Sequence, residues 1–214
     1  MTWVVVAVGA YLLGSIPFSY LVAKLGTGQD IRRAGSGNVG STNVLRVAGR
    51  GPAIVALLGD VAKGGAAVLV AQRFTGSAAS GGVAAVAAVL GHVRPVFLEK
   101  GGGKGGATGF GALLALAPAV GAMCVVLLVS VIATTRYVSI GTITTAAASP
   151  LLVLIAQRYG LVRDSGAWLP LAVAAIAAII VVRHHPNVQR LRGGVEPKLG
   201  EARSTLHPGS RNLS

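Results

Sequence analysis

Two stretches of this sequence set glycines beside cations and short donors, a combination suited to oxyanions. The first runs Asp30-Ile-Arg-Arg-Ala-Gly-Ser-Gly-Asn-Val-Gly-Ser-Thr-Asn-Val-Leu-Arg46. Gly35, Gly37 and Gly40 allow backbone N–H groups to converge on a phosphate, and Ser36, Asn38, Thr42 and Asn43 add short donors. Arg46 contributes a planar fork that matches phosphate. The glycines satisfy G-x-G-x-x-G, but a dinucleotide site needs a preceding strand and a βαβ unit, and neither is present. A capped turn between helices is the plainer alternative.

The second stretch, Glu99-Lys-Gly-Gly-Gly-Lys-Gly-Gly-Ala-Thr108, resembles a phosphate loop without being one. Gly103-Lys104 is followed by Gly105 instead of Ser or Thr, and the earlier glycine that the motif requires falls on Leu98. Nucleotide hydrolysis is therefore not expected. The loop leads into a helix start near Ala107, where free N–H groups favour an anion, and Lys104 adds a point charge. A third patch holds Arg136, Ser139 and Thr142, the last two on one side of a starting helix. A fourth holds His184, Asn187 and Glu196 among arginines, which reads equally as a headgroup anchor. Asp60 and Lys63, three apart in an apolar stretch, are expected to pair, either structurally or facing a substrate. Cys124 is expected to be a small buried residue. Four histidines and one cysteine offer no zinc-site spacing, so neither metal nor other cofactor is expected.

The elements that must position these patches belong to a membrane protein. Of 214 residues, 53% are hydrophobic and 12% charged, about half the charge of a soluble domain. The net charge of +13 would suggest nucleic acid in a soluble chain. Here the basic residues lie between apolar runs and fit positive-inside topology at an anionic lipid surface, with no nucleic-acid partner. Apolar segments appear at 2–23, 52–70, 80–98, 107–134, 139–156 and 166–182. The polar linkers at 26–50, 99–106, 136–142 and 184–198 can share one face only if 107–134 crosses twice, and Pro118 with Gly121 supplies a break. That predicts an all-α membrane protein of seven transmembrane helices with short central spans, its N-terminus outside and its C-terminus cytoplasmic. Under this layout fifteen Lys and Arg lie inside and only Arg73, Arg158 and Arg163 outside. Residues 1–198 form a single polytopic domain, and 199–214 a disordered basic tail.

The residues also carry a family resemblance. Gly14-Ser-Ile-Pro17, Asp30-Ile-Arg32, Gly35 through Asn43 and Arg46 are similar to the first motif of the bacterial acyl-phosphate-dependent glycerol-3-phosphate acyltransferases. Gly91-His92, Phe97-Leu98 and Gly102-Gly-Lys-Gly-Gly-Ala-Thr108 resemble the second, and Arg136-Tyr-Val-Ser139 with Thr142 the third. His184, Asn187, Arg190-Leu191, Gly194 and Glu196 resemble the tail pattern. Two positions depart: the family usually has a lysine where Gly101 stands, with Lys100 one place earlier here, and Thr142 replaces a common serine.

The resemblance implies a seven-helix enzyme of the bacterial cytoplasmic membrane, working on its cytoplasmic face. It would transfer an acyl group from acyl phosphate to the first hydroxyl of glycerol 3-phosphate. Lysophosphatidic acid would result, as the first step of phospholipid synthesis, and the soluble enzyme that makes acyl phosphate is a possible partner. The expected catalytic residues are Lys104, Ser36 and Asn38. Expected substrate contacts are Gly35, Gly37, Gly40, Thr42, Asn43, Arg46, Gly102, Gly103, Gly105, Thr108, Arg136, Ser139, Thr142, His184, Asn187 and Glu196. No Ser-His-Asp order or H-x-x-x-x-D signature is present, so direct attack without an acyl-enzyme is expected. A transporter or channel for a phosphorylated solute is the alternative, but only Asp60 and Lys63 interrupt the spans with charge.

Overall fold

The computed structural model describes residues 1–99, 101–162 and 166–200, and the described chain is helical. The expected outside charge Arg163, the comparison residue Lys100 and the expected disordered tail beyond residue 200 lie outside the described residues.

The first apolar segment forms α1 (Thr2–Ser15) and α2 (Phe18–Thr27), broken where Pro17 cannot donate to the helix ladder. The carbonyl of Ile16 that the break releases accepts from Lys63 Nζ at 2.7 Å. After a 3-10 turn at Ile31–Arg33 comes α3 (Ser41–Ala48), then α4 (Arg50–Thr75) and α5 (Ala78–Val93). The expected segment 80–98 stops short at Val93, because Pro95 drives the residue before it out of helical conformation.

The segment 107–134 divides at Ala117, beside Pro118, into α6 (Gly106–Leu116) and α7 (Pro118–Thr135). The two halves are unequal. With 18 residues α7 is long enough to span, and only α6, with 11, is short. Next come α8 (Val138–Arg158), α9 (Trp168–Arg183) and α10 (His185–Arg192), the last bent 48° from α9. Among the described residues four helical segments are long and apolar enough to cross a membrane, counting α1 with α2, or five if α9 and α10 count as one.

Packing depends on small residues. α1 lies on α5 and α4 on α6, with α7, α8 and α9 closing the other side. A Cβ added at Gly64 would stand 2.0 Å from Thr108 O, and one at Gly111 2.0 Å from Val61 O. The α4 and α6 backbones thus touch directly, as expected where helices associate through close van der Waals contact in lipid. Large apolar side chains such as Val5, Leu58, Val70, Val126 and Leu171 point outward, as on a lipid-facing surface.

Candidate active site

The four polar linkers meet at one cavity of about 420 Å³. Its polar end gathers Ser36, Asn38, Gly40, Thr42, Asn43 and Arg46 from the first linker, Lys104 from the second, and Ser139 and Thr142 from α8. His184, Asn187, Arg190 and Glu196 complete it from around α10. Below lies an apolar arm walled by Leu57 and Val61 of α4, Phe110 and Leu113 of α6, Val125 and Leu128 of α7, and Val173 and Ile176 of α9.

Gly35, Gly37, Gly102, Gly103, Gly105, Thr108 and Arg136, expected at substrate, do not line this cavity. The first glycine loop folds on itself. Ser36 N donates to Asn43 Oδ1 at 2.8 Å, Gly37 N to Ala34 O at 3.0 Å and Gly40 N to Asn38 O at 3.1 Å. Those amides are used within the loop and do not converge on an anion. Asn43, 1% exposed, closes the fold: its Nδ2 faces the carbonyls of Ile31, Ala34 and Asn38 at 3.0–3.2 Å. It reaches the cavity wall, but its amide is committed to the loop. The helix-start amides at the cavity wall are instead those of Ser41 and Thr42 in α3 and of Gly106 and Ala107 in α6, a setting that favours an anion. Ser41 is not among the expected residues, because α3 is short and starts inside the glycine-rich stretch.

Gly103 N donates to His92 O at 3.0 Å, and Gly105, with φ 88°, caps α6. Thr108 is fully buried, and a Cβ at Gly64 would strike its carbonyl. Arg136 holds the segment that follows α10: Leu199 N donates to its carbonyl at 2.7 Å, and its Nη2 donates to Leu199 O at 3.3 Å. It is the only described non-glycine residue with positive φ, 63°.

A relay of polar contacts crosses the cavity's polar end. Lys104 Nζ donates to Asn187 Oδ1 at 2.6 Å, and Asn187 Nδ2 donates to Glu196 Oε1 at 2.6 Å. Arg190 Nε donates to Glu196 Oε2 at 2.6 Å. Arg190 is missing from the expected site, although its place three residues after Asn187 puts both on one face of α10. Burial, then the positive charges of Arg190, Arg46 and Arg183, push the Lys104 ammonium down to about 8 against the pull of Glu196. Burial raises the Glu196 carboxyl, but the donors from Asn187 and Arg190, with the Arg190 charge, outweigh it and hold the group below its ordinary value. His184 Nδ1 lies 2.7 Å from Ile180 O, which can only accept, so Nε2 is the ring atom left for the cavity.

Fold and cavity together define an all-helical membrane protein whose cavity is lined by cations and short polar side chains at one end and by apolar side chains along the rest. Residues 4–194 match the family model described as glycerol-3-phosphate acyltransferase. A glycerol-3-phosphate acyltransferase of Thermus thermophilus is 47% identical over 192 residues, covering 90% of this chain and 92% of the relative. One from Syntrophomonas wolfei is 43% identical over 190 residues, covering 88% and 93%. The crystal structure of PlsY (YgiH), an integral membrane glycerol 3-phosphate acyltransferase, in its glycerol 3-phosphate form superposes with a TM-score of 0.84 at 34% identity, covering 94% of this chain and 96% of that one. Its lysophosphatidic acid form gives 0.82 at 33% identity, with the same coverage. The chain belongs to the glycerol-3-phosphate acyltransferase family, in the branch represented by PlsY.

Proposed function

We propose that this chain transfers a fatty acyl group from an acyl phosphate to the sn-1 hydroxyl of glycerol 3-phosphate. The observation that carries this reading is the continuity of one cavity from a cationic polar end to an apolar arm. The donor needs both ends at once, and the acceptor needs only the first. The related PlsY crystal structures, with glycerol 3-phosphate in one and lysophosphatidic acid in the other, support the acceptor and the product.

Arg46, Lys104, His184 and Asn187 grip glycerol 3-phosphate. Ser36, Asn38, Thr42, Ser139 and Thr142 cradle the acyl phosphate, whose chain runs down the apolar arm. The glycerol hydroxyl oxygen attacks the acyl carbonyl carbon, forming the ester bond as the bond from that carbon to the phosphate oxygen breaks. The hydroxyl proton passes to an oxygen of the departing phosphate. Lys104 and the first amides of α6 stabilise the charge that develops on the leaving group. Holding both substrates in one cavity makes the attack effectively unimolecular.

The seven-span layout extends this reading, with α1 and α2 as one crossing and α4 to α9 as six. The N-terminus then lies outside, the C-terminus and the site face the cytoplasm, and residues 1–198 form one polytopic domain. The fifteen-to-three charge split supports it. The soluble enzyme that makes acyl phosphate is the natural partner at that face.

The test is purified protein with palmitoyl phosphate and radiolabelled glycerol 3-phosphate, scored for lysophosphatidic acid against palmitoyl-coenzyme A as alternative donor. Product from the thioester alone would overturn the donor. Single-cysteine labelling in a Cys124→Ala background tests the layout, and external labelling at position 106 or 136 would overturn it.

A further inference from the structure

A buried charged cluster lies between the α1–α2 break and the second glycine loop; its Asp60 and His92 reach the cavity wall, and the reaction described above gives them no role. Asp60 is 1% exposed, Lys63 3% and His92 7%. Lys63 Nζ lies 2.8 Å from Asp60 Oδ1, and Ser19 Oγ donates to Asp60 Oδ2 at 2.8 Å. His92 Nδ1 lies 3.4 Å from Asp60 Oδ1. The Nδ1 edge of the ring thus faces the Asp60 carboxylate at ion-pair distance. The opposite edge of the ring lies under Gly103: a Cβ there would stand 1.9 Å from His92 Nε2.

Gly103 is held on its other sides too. Its N–H donates to the His92 carbonyl at 3.0 Å, and its own carbonyl accepts from Arg183 Nη2 at 3.4 Å. The next residue is Lys104, whose ammonium reaches Asn187. Charges buried at membrane depth are costly and tend to mark function. Satisfying the Ile16 carbonyl needs Lys63 alone and leaves the His92 ring unexplained.

We propose that His92 is a positioning residue. Its ring, which lies against Asp60, is the floor on which Gly103 rests, and it thereby sets where the Lys104 ammonium points. The inference rests on the reading of Lys104 as a phosphate-binding cation. If the floor is removed, the loop sinks and Lys104 leaves its place against Asn187. A misplacement of about 1 Å in such a group lowers turnover by up to ~10²-fold.

The experiment is a double-mutant cycle in kcat with His92→Ala, Lys104→Ala and the pair, on purified protein matched for Tm. His92→Ala is expected to lower kcat about 10- to 100-fold with little change in KM for acyl phosphate. The pair should be no slower than Lys104→Ala alone, because the ring acts only through that lysine. Losses that multiply in the pair, or near-normal turnover by His92→Ala, would overturn the inference while leaving Lys104 in the mechanism. Normal turnover by Lys104→Ala alone would sink the reading of Lys104 and this inference with it. Two further variants carry the test if His92→Ala does not accumulate. His92→Gln, whose amide reaches the Nε2 position, should retain more turnover than His92→Asn, whose amide reaches only Nδ1. The reverse order would overturn the proposal.

Discussion

Lys104 and Asn187 lie 83 residues apart and meet end to end, the ammonium donating to the amide oxygen at 2.6 Å. The contact fixes the amide's orientation, because its nitrogen must then face Glu196, where it donates at 2.6 Å. The lysine is therefore held by the fold's own side chains, which is how a preorganised electrostatic site works.

Lys104→Ala is expected to lower kcat, and not only to raise KM, because the charge it answers grows as phosphate leaves. Loss of one such contact costs about 10²–10³-fold in rate. Lys104→Arg should rescue little, since a planar fork fits poorly where a point charge meets the Asn187 oxygen. Steady-state kinetics on purified variants checks both, and normal turnover by the alanine protein would remove Lys104 from the reaction.

The depressed Lys104 value predicts a pH limb. The group is charged below about 8 and neutral above it. The value of kcat/KM for glycerol 3-phosphate should therefore fall as pH rises through about 8, approaching tenfold per unit at the high end. The Lys104→Arg protein, though slow, should show no such limb, because a guanidinium stays charged. A limb unchanged in that variant would assign the titration to another group.

Asn43→Ala should act on the fold more than on the chemistry. It strands the Ser36 amide and removes the side-chain donor shared by the Ile31, Ala34 and Asn38 carbonyls, each of which keeps one backbone donor. Each buried polar group left unpaired costs about 1–3 kcal/mol. A clear drop in Tm is the expected outcome. Unchanged Tm with a selective rise in KM would restore Asn43 as a direct substrate contact.

Arg136 joins Leu199 chiefly through its main chain, at φ 63°. Arg136→Gly keeps that conformation and should leave kcat/KM nearly unchanged. Arg136→Val forces a β-branched residue into the left-handed region at about 1–2 kcal/mol and should lower Tm. A hundredfold loss in the glycine variant would return Arg136 to the substrate contacts.

Much of this architecture could be read from residue types. The break at Ala117 follows from Pro118, and the Asp60–Lys63 pair follows from a three-residue spacing in an apolar helix. Arg46, Lys104, Ser139, Thr142, His184 and Asn187 all reach one cavity because each borders an apolar run. What could not be read depends on distant partners. The first glycine loop looks open in sequence, yet its donors turn inward, Ser36 N to the buried Asn43 and the Gly37 and Gly40 amides to loop carbonyls. His92 joins Asp60 from another helix, which no local spacing announces. The inequality of α6 and α7 is hidden as well, since hydropathy runs on evenly across the break.

The contact between α4 and α6 also governs how this gene can drift. Any missense change in a glycine codon adds at least a Cβ. At Gly64 and Gly111 that atom would lie 2.0 Å from a neighbouring carbonyl, and at Gly14 and Gly91, between α1 and α5, 2.1 Å. Backbone cannot swing aside as a side chain can, so no substitute is mild at these four codons. A saturation library selected for growth should find them emptier than many charged positions around the cavity, although none of the four lines it.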